Sequence, residues 1–212
     1  MKEIFDNIFK EGNRIYTKNL VPGRKVYGER LHGELREWNP ERSKLGAAVI
    51  KKMKSMPIKK DSVVLYLGAS TGTTVSHVSD IAENGIIYAV EFSERVGRKL
   101  VELAEQRKNI APLFADARKP EQYEWVEDAD VLFCDISQPE ETEIAIRNAF
   151  SFLKKDGFLM LSVKSQSIDV TKQSEKVYEE EKDKLKKAGF KILELVNLEP
   201  YEKNHAMIIA RK

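Results

Sequence analysis

The sequence predicts an α/β protein in which a mostly parallel sheet follows a small β-rich N-terminal unit. Short apolar runs recur from residue 63 onward, as is typical of strands buried on both faces. Segments with helical spacing of apolar residues lie between these runs, and such alternation indicates a parallel sheet covered by helices. Residues 1–40 instead carry short runs broken by turn residues. We therefore expect a β-rich domain over residues 1–40 and an α/β domain over residues 41–212.

The N-terminal unit is marked by turn signals and by its charge. Gly12-Asn13 precedes the strand-like run Arg14–Tyr16, and Val21-Pro22-Gly23 predicts a further turn. Residues 1–60 hold 15 Lys and Arg against 7 Asp and Glu, a balance of +8, although the whole chain carries only +2. The basic end favours a polyanion partner such as nucleic acid, and a solvated basic surface explains it equally well.

A helix is predicted at the start of the second domain. Leu45, Val49 and Met53 recur at a spacing of four residues, which predicts a helix over Arg42–Met56. Pro57 follows this segment, and a proline cannot continue a helix because it lacks the backbone N–H. We therefore expect the helix to end before Pro57.

Strands and helices then alternate to the end of the chain. Ser93 is expected to cap one helix and Gly189 to close another. Only a short link, Leu198–His205, separates the last two strands, so we expect them to pair antiparallel. The predicted strands are Val63–Leu67, Ile86–Val90, Ala111–Phe114, Ala129–Cys134, Phe158–Val163, Phe190–Val196 and Ala206–Ala210. The predicted helices are Thr73–Ile81, one that follows Ser93, Glu141–Leu153 and Gln173–Ala188.

The composition indicates the cellular location of the protein and the bound groups that it lacks. No apolar run is long enough to span a bilayer, and Met1–Lys10 lacks the apolar centre of a signal peptide. The single cysteine, Cys134, cannot form an internal disulfide bond or build a metal site with other cysteines. We expect a cytoplasmic protein without a membrane partner and without a bound metal.

Ligands of open α/β sheets bind beyond the carboxyl ends of the strands, so the residues there are the candidate site. The first strand is followed by a turn with two glycines, Gly68 and Gly72, and then by a helix. Free N–H groups at the start of that helix suit a carboxylate such as that of a methionine moiety. The turn is neither the dinucleotide fingerprint nor a phosphate-binding Walker loop. A tight strand–helix connection without a ligand explains it as well.

Acidic residues follow the next two strands. Glu91 can bind both ribose hydroxyls of an adenosine through its two oxygens. A surface carboxylate is the alternative, but the combination with the glycine turn favours nucleoside binding. Asp116, after the third strand, could accept a hydrogen bond from the adenine amino group or could cap the next turn.

The fourth and fifth strands end in charged residues. Asp135 follows one and Lys164 ends the other, and we expect the two to pair if the strands are neighbours. Such a pair could position a substrate hydroxyl, or it could be a structural ion pair. His205 starts the final strand, and a lone histidine is more often structural than catalytic. Tyr27 and Trp38 could stack on bases or pack in the core.

Several long motifs together resemble those of the fibrillarin family, and the resemblance covers nearly the whole chain. Ser70-Thr71 and Ile136-Ser137 depart mildly from the family pattern, and Asn204 stands where an aspartate is expected. The Gly/Arg-rich tail of eukaryotic members is absent, so the chain is similar to the compact archaeal type. The motifs are Thr17–Arg30, Arg36–Leu45, Leu67–Asp80, Tyr88–Ser93, Asp116–Arg118, Asp135–Pro139 and Pro200–His205.

The resemblance implies a Rossmann-like S-adenosylmethionine-dependent methyltransferase fold, with a seven-stranded sheet whose final strand is antiparallel. It implies methyl transfer from S-adenosyl-L-methionine to ribose 2′-hydroxyls of ribosomal RNA, with transfer RNA as a further target. The implied catalytic residues are Lys44, Asp135, Lys164 and His205. The implied cofactor-binding residues are Gly68, Ala69, Gly72, Thr73, Thr74, Glu91, Phe92, Asp116, Ala117, Asp135 and Gln138.

The resemblance also implies partners. Family members act in a box C/D ribonucleoprotein with a guide RNA, a Nop-type scaffold protein and a kink-turn-binding ribosomal-type protein. Two other functions are weighed against this one. A methyltransferase for small molecules or proteins explains the glycine turn and Glu91, but it leaves the basic N-terminal region unexplained. A non-catalytic assembly platform does not account for the complete set of candidate catalytic side chains.

Overall fold

A computed structural model describes residues 1–212, which form two β-sheets and six α-helices. The first sheet is antiparallel and contains five strands in the order β1-β2-β3-β5-β4. Gly12-Asn13 forms the two-residue turn between β2 and β3, as the sequence predicts. The prediction of a β-rich N-terminal unit is therefore confirmed. The strands are β1 (Lys2–Phe5), β2 (Ile8–Glu11), β3 (Arg14–Lys18), β4 (Leu31–His32) and β5 (Leu35–Trp38).

The second sheet has seven strands in the order β11-β12-β10-β9-β6-β7-β8. The five strands from β10 to β8 are parallel, and β12 runs antiparallel to both of its neighbours. A mostly parallel sheet with an antiparallel final strand is thus confirmed. The strands are β6 (Val63–Leu67), β7 (Ile86–Glu91), β8 (Ile110–Phe114), β9 (Ala129–Cys134), β10 (Leu153–Lys164), β11 (Lys191–Asn197) and β12 (His205–Arg211).

The helices connect the strands of the second sheet and cover both of its faces. Ser93 accepts a hydrogen bond from the Val96 N–H at the start of α3, and Gly189 follows α6 with a φ of +92°, as predicted. No helix combines the length and apolar character needed to cross a bilayer. The helices are α1 (Lys44–Ile50), α2 (Thr73–Ile81), α3 (Glu94–Gln106), α4 (Glu141–Phe152), α5 (Ser165–Ile168) and α6 (Ser174–Lys187).

The predicted helix over Arg42–Met56 is wrong in its length. The helix ends at Ile50, because Lys52 adopts a φ of +63° and turns the chain away. The N–H of Met53 bonds to the carbonyl of Ala48, which satisfies a carbonyl left free at the helix end. Met53 is still buried, so its spacing reports burial and not helical conformation.

The start of β10 and the presence of α5 also differ from the prediction, and the other bounds of the second sheet differ by one residue at most. The strand predicted to start at Phe158 begins at Leu153, and its register against β9 shifts between these residues. Its first part carries Lys154, Lys155 and Asp156, which give no apolar signal. The short helix α5 was not predicted, because four residues are too few for a helical period to show.

The sheet separates two apolar layers, because alternate side chains of a strand face opposite sides. Tyr66 and Phe133 belong to the layer under α1, α2 and the N-terminal sheet. Leu65 and Leu132 belong to the layer under α4 and α6. Trp38 is fully buried in the first layer, which confirms the packing alternative for that residue. Both sheets thus share one core layer, and the division of the chain at residue 40 stays a prediction.

A buried charge network fastens the N-terminal sheet to α2. The carboxylate of Asp80 accepts hydrogen bonds from the Arg36 Nε and an Arg107 guanidinium nitrogen, each at 2.6 Å. Thr17 of β3 donates to the same carboxylate, and Arg36 also bonds to Glu29 at 2.7 Å. All of these side chains are buried. The network fixes β5, and with it the segment that leads into α1, against the second sheet.

Candidate active site

A cleft of about 430 Å³ lies at the carboxyl ends of β6, β7, β8 and β9. This is the edge of a parallel sheet at which the sequence places the site. Eight of the predicted site residues line the cleft: Lys44, Gly68, Glu91, Phe92, Asp116, Ala117, Asp135 and Gln138. The cleft is also lined by seven residues that were not predicted as site residues: Ser70, Val90, Ala115, Arg118, Ile136, Ser137 and Ile144.

Glycine is required at both ends of the turn, by close packing as well as by backbone conformation. Gly68 and Gly72 have φ values of +82° and +85°, which side chains rarely adopt. A Cβ at Gly68 would overlap the carbonyl oxygen of Asp135, and one at Gly72 would overlap the side chain of Leu103. The turn therefore brings β6 close to the residue that follows β9.

Four predicted cofactor-binding residues do not line the cleft. Ala69 is buried, and Gly72 faces α3. The hydroxyl of Thr74 donates to Ser43 Oγ at 3.0 Å, which ties α2 to the residue that caps α1. Thr73 lines a different groove. The turn can present backbone N–H groups to a ligand, but the structure assigns no side-chain contact in the cleft to these residues.

Glu91 is held rigidly at the end of β7. Its Oε2 accepts the Ser70 N–H at 2.7 Å, and its Oε1 accepts the Ser93 N–H at 2.8 Å. A carboxylate oxygen has two lone pairs, so each oxygen keeps one for a ligand hydroxyl. The ring of Phe92 is 71 % exposed and forms an apolar wall beside it. This pair suits a ribose with an attached base.

Asp116 forms a two-pronged ion pair with Arg118. The Arg118 Nε lies 3.0 Å from Oδ1, and another guanidinium nitrogen lies 2.7 Å from Oδ2. These hydrogen bonds are the main cause that lowers the pKa of Asp116, which is therefore ionised at neutral pH. Asp116 also accepts the backbone N–H of Arg118, so it does cap its turn as one alternative proposed.

The partner of Asp135 is Lys44, at 3.0 Å between Oδ1 and Nζ. Lys44 is the first residue of α1, whose N-cap is Ser43. Burial disfavours the charged form of Lys44, but the attraction and hydrogen bond of Asp135, together with the charges of Glu202 and Glu141, outweigh it, and the pKa of Lys44 is raised. The predicted Asp135–Lys164 ion pair is therefore wrong.

Strand register explains why Lys164 does not reach Asp135. Leu161 of β10 pairs with Cys134 of β9, so Asp135 lies level with the residue after Leu161. Lys164 is two residues further along, and each residue advances a strand by about 3.3 Å. The two strands are neighbours, as expected, but Lys164 extends past the carboxylate.

Lys164 and His205 lie opposite each other in the register of β10 and β12. Side chains two residues apart share a face of a strand, so Asp135, Lys164 and His205 emerge on the face that α1 covers. Even numbers of residues separate these three side chains from Phe133, Met160 and Met207 of the same strands, all of which belong to the core layer under α1. Lys44, at the start of α1, joins them, and the four predicted catalytic residues therefore share one corner of the sheet.

His205 is oriented by a backbone contact. Its Nδ1 lies 2.7 Å from the carbonyl oxygen of Lys203, so Nδ1 must carry the proton. Burial is the main cause that lowers the pKa of His205, which leaves the ring neutral at neutral pH. Nε2 is then an unprotonated acceptor.

Two acidic residues near this corner were missed by the sequence reasoning. Glu141 is fully buried, and burial raises its pKa to about 9. Glu202 is half-buried, and burial is also the main cause of its raised pKa. Glu141 begins α4, where an acidic residue is expected for its interaction with the helix dipole, so nothing in the sequence marked it as unusual.

The fold and site define the class of protein. A seven-stranded sheet of this order, with a cleft at its carboxyl edge, is the Rossmann-like fold of S-adenosylmethionine-dependent methyltransferases. The fibrillarin family model matches residues 1–212. The chain therefore belongs to the fibrillarin family.

Individual relatives agree with this assignment. A fibrillarin-like rRNA/tRNA 2′-O-methyltransferase of Methanococcus maripaludis is 50% identical over 219 residues, covering 99% of this chain and 95% of the relative. The solved fibrillarin of Methanococcus jannaschii superposes with a TM-score of 0.94 at 48% identity, over 99% and 96% of the two chains.

Two further solved structures hold a ligand or a partner. Fibrillarin of Aeropyrum pernix with natively bound S-adenosyl-L-methionine gives a TM-score of 0.85 at 47% identity, over 93% of this chain and 88% of that one. A fibrillarin in complex with Nop5p gives a TM-score of 0.93 at 41% identity, over 99% of both chains.

Proposed function

We propose that this protein transfers a methyl group from S-adenosyl-L-methionine to ribose 2′-hydroxyls of ribosomal and transfer RNA. One observation carries the proposal: the cleft that Glu91 lines is also lined by the Lys44–Asp135 ion pair. The relatives at about half identity are rRNA/tRNA 2′-O-methyltransferases, which supports RNA as the substrate over a small molecule or a protein.

The cleft fits the cofactor. Each oxygen of Glu91 keeps a lone pair for a ribose hydroxyl, and the ionised Asp116 can accept a hydrogen bond from the adenine amino group. Phe92 and Ala117 line the space between them. The turn from Gly68 to Gly72 leads into α2, whose N-terminal N–H groups suit a carboxylate. The bound cofactor supplies an electrophilic methyl group on its sulfonium.

The catalytic corner holds and activates the acceptor hydroxyl. Asp135 and Lys164 bind and polarise the 2′-hydroxyl, and Lys44 holds the Asp135 carboxylate in place. Lys44 keeps its proton because its pKa is raised, so it cannot be the base. The carboxylate of Asp135 and the neutral ring of His205 can each accept a hydrogen bond from the hydroxyl. Positioning the oxygen in line with the methyl carbon supplies most of the acceleration.

The proposed partners follow from the family. A related fibrillarin has been solved with Nop5p, which supports a Nop-type scaffold as a partner of this chain. A box C/D guide RNA would select the target nucleotide by base pairing, and a kink-turn-binding protein would complete the assembly. The relatives compared above are archaeal, and ribosomal and transfer RNA of an archaeon are cytoplasmic, so a cytoplasmic location is proposed for this protein.

The test is transfer of labelled methyl from S-adenosyl-L-methionine to RNA, with and without guide RNA and the two partner proteins. Label on a ribose 2′-oxygen only in the full assembly is expected. Label on a base, or on RNA without partners, would refute the guided mechanism. Lys164→Ala should lower turnover while cofactor affinity stays nearly constant, and equal loss of both would contradict its catalytic assignment.

A further inference from the structure

Glu141 connects the catalytic corner to the helix behind it. It is the first residue of α4 and is fully buried. Its Oε1 accepts the backbone N–H of Lys164 at 3.0 Å. Strand β9 ends at Cys134, opposite Leu161, so this N–H lies beyond the last residue pair of the two strands. The Glu141 carboxyl group thus replaces the strand partner that β9 no longer offers.

The second oxygen of Glu141 has an unusual environment. Oε2 is buried and has no hydrogen-bond partner. An ionised carboxyl group would spread its charge over this oxygen, and a buried charge without a donor is costly. The neutral acid places no charge there and incurs only the smaller cost of an unpaired hydroxyl group.

The groups that face Glu141 also oppose its ionisation. Asp135 follows β9, and Glu181, which projects from α6, is fully buried with one oxygen 3.0 Å from Lys184. The charge of Lys44 favours the ionised form, as does the backbone hydrogen bond from Lys164. Burial, followed by these carboxylates, raises the pKa of Glu141 to about 9.

We propose that Glu141 is a positioning residue for Lys164: its carboxyl group fixes the end of β10, so that the Lys164 side chain stays on the face that carries Asp135. The role rests on the proposed methyl transfer. It requires the protonated acid, because a carboxylate here would compete with Asp135 for the nearby ammonium groups. The negative charge that faces the substrate hydroxyl then stays on Asp135.

Three variants separate this role from simple packing. Glu141→Ala removes the acceptor of the Lys164 N–H, and Glu141→Gln keeps an acceptor of the same shape without charge. Glu143→Gln is the matched control, since Glu143 lies on the same helix but is exposed and pairs with Lys184. All are measured as the full chain in the assembled complex with guide and target RNA.

The two Glu141 variants should differ in kcat. Glu141→Ala should lower kcat about tenfold with the KM for RNA unchanged, because one buried N–H loses its partner. Glu141→Gln should restore kcat to within about twofold of wild type. The ratio of kcat for Glu141→Gln to that of wild type should rise as pH passes about 9, where wild-type Glu141 ionises. Equal losses in both variants would overturn the role of the neutral acid.

Infrared difference spectroscopy tests the protonation state independently of activity. The wild-type spectrum minus that of Glu141→Gln should contain the C=O band of a protonated carboxyl group at neutral pH, and the band should vanish above a pH of about 9. Absence of the band at neutral pH would overturn the proposal, even if the alanine variant fails to fold. If the band is present but wild type transfers no methyl group, the proposed function fails and the positioning role fails with it.

Discussion

Replacing Glu141 by glutamine should stabilise the protein, by an amount that grows with pH. The pKa of Glu141 is raised by burial from 4.5 to about 9. Because the folded value is the higher one, the stability contributed by the bound proton is fully present below pH 4.5 and is lost as pH rises through about 9. Glutamine does not titrate, so the variant escapes this loss.

The size of the effect follows from the two pKa values. Each pH unit in which only the unfolded chain has released the proton costs about 1.4 kcal/mol of the free energy of unfolding. Neutral pH lies 2.5 units above 4.5, so the variant should be more stable than wild type by up to about 3 kcal/mol at pH 7. Glutamine keeps the acceptor for the Lys164 N–H, so no hydrogen bond has to be subtracted.

Urea unfolding of both proteins at several pH values between 4.5 and 9 measures this difference. Glu143→Gln is the control. Burial opposes ionisation of Glu143, but the hydrogen bond and charge of Lys184, together with a backbone hydrogen bond, outweigh it and lower the pKa of Glu143. The contribution of Glu143 is therefore present above its unfolded pKa and is lost only at more acidic pH. The free energy of unfolding of Glu143→Gln should differ from that of wild type by the same amount at every pH in this range. If the difference for Glu141→Gln is also independent of pH, the reasoning is refuted.

Three further perturbations test the fold and the site. Asp80→Asn leaves Arg36 and Arg107 without their shared buried carboxylate and should lower the free energy of unfolding by about 3–5 kcal/mol. A loss below about 1 kcal/mol, measured by urea unfolding, would contradict this. Gly68→Ala introduces a Cβ at a positive φ and should weaken S-adenosyl-L-methionine binding at least tenfold, about 1.4 kcal/mol, by calorimetry; an unchanged Kd argues against the turn as a cofactor site. Lys44→Met should lower single-turnover rates about 100-fold at saturating cofactor, and equal loss of cofactor affinity would assign Lys44 to binding instead.

The strands of the second sheet could be predicted because a strand buried on both faces carries an unbroken apolar run. Val63–Leu67 and Ala129–Cys134 are the plainest cases, and both have the predicted bounds. Once the sheet is parallel, its carboxyl ends must meet at one edge. That rule alone brings Glu91, Asp116 and Asp135 to the same cleft without any knowledge of their contacts.

The contacts within the site could not be predicted, since they depend on register and on packing between distant segments. A strand end in the sequence does not say how far it extends past its neighbour, and two residues of stagger decide that Lys164 passes Asp135. Lys44 reaches Asp135 because α1 packs on the sheet. The end of α1 was misplaced for the same reason. Met53 lies outside the helix, and packing against distant segments buries it at a position that imitates helical spacing.

The two buried carboxyl groups, Asp80 and Glu141, show that burial alone does not decide what an acidic side chain does. Asp80 faces two guanidinium groups and serves as an anion that joins the N-terminal sheet to α2. Glu141 faces other carboxylates, and its own Oε2 has no hydrogen-bond partner. Both conditions favour the neutral acid. The first fixes the segment that delivers Lys44, and the second fixes the strand end that delivers Lys164. The proposed catalytic corner therefore depends on two carboxyl groups outside it, and each acts in the charge state that its own neighbours impose.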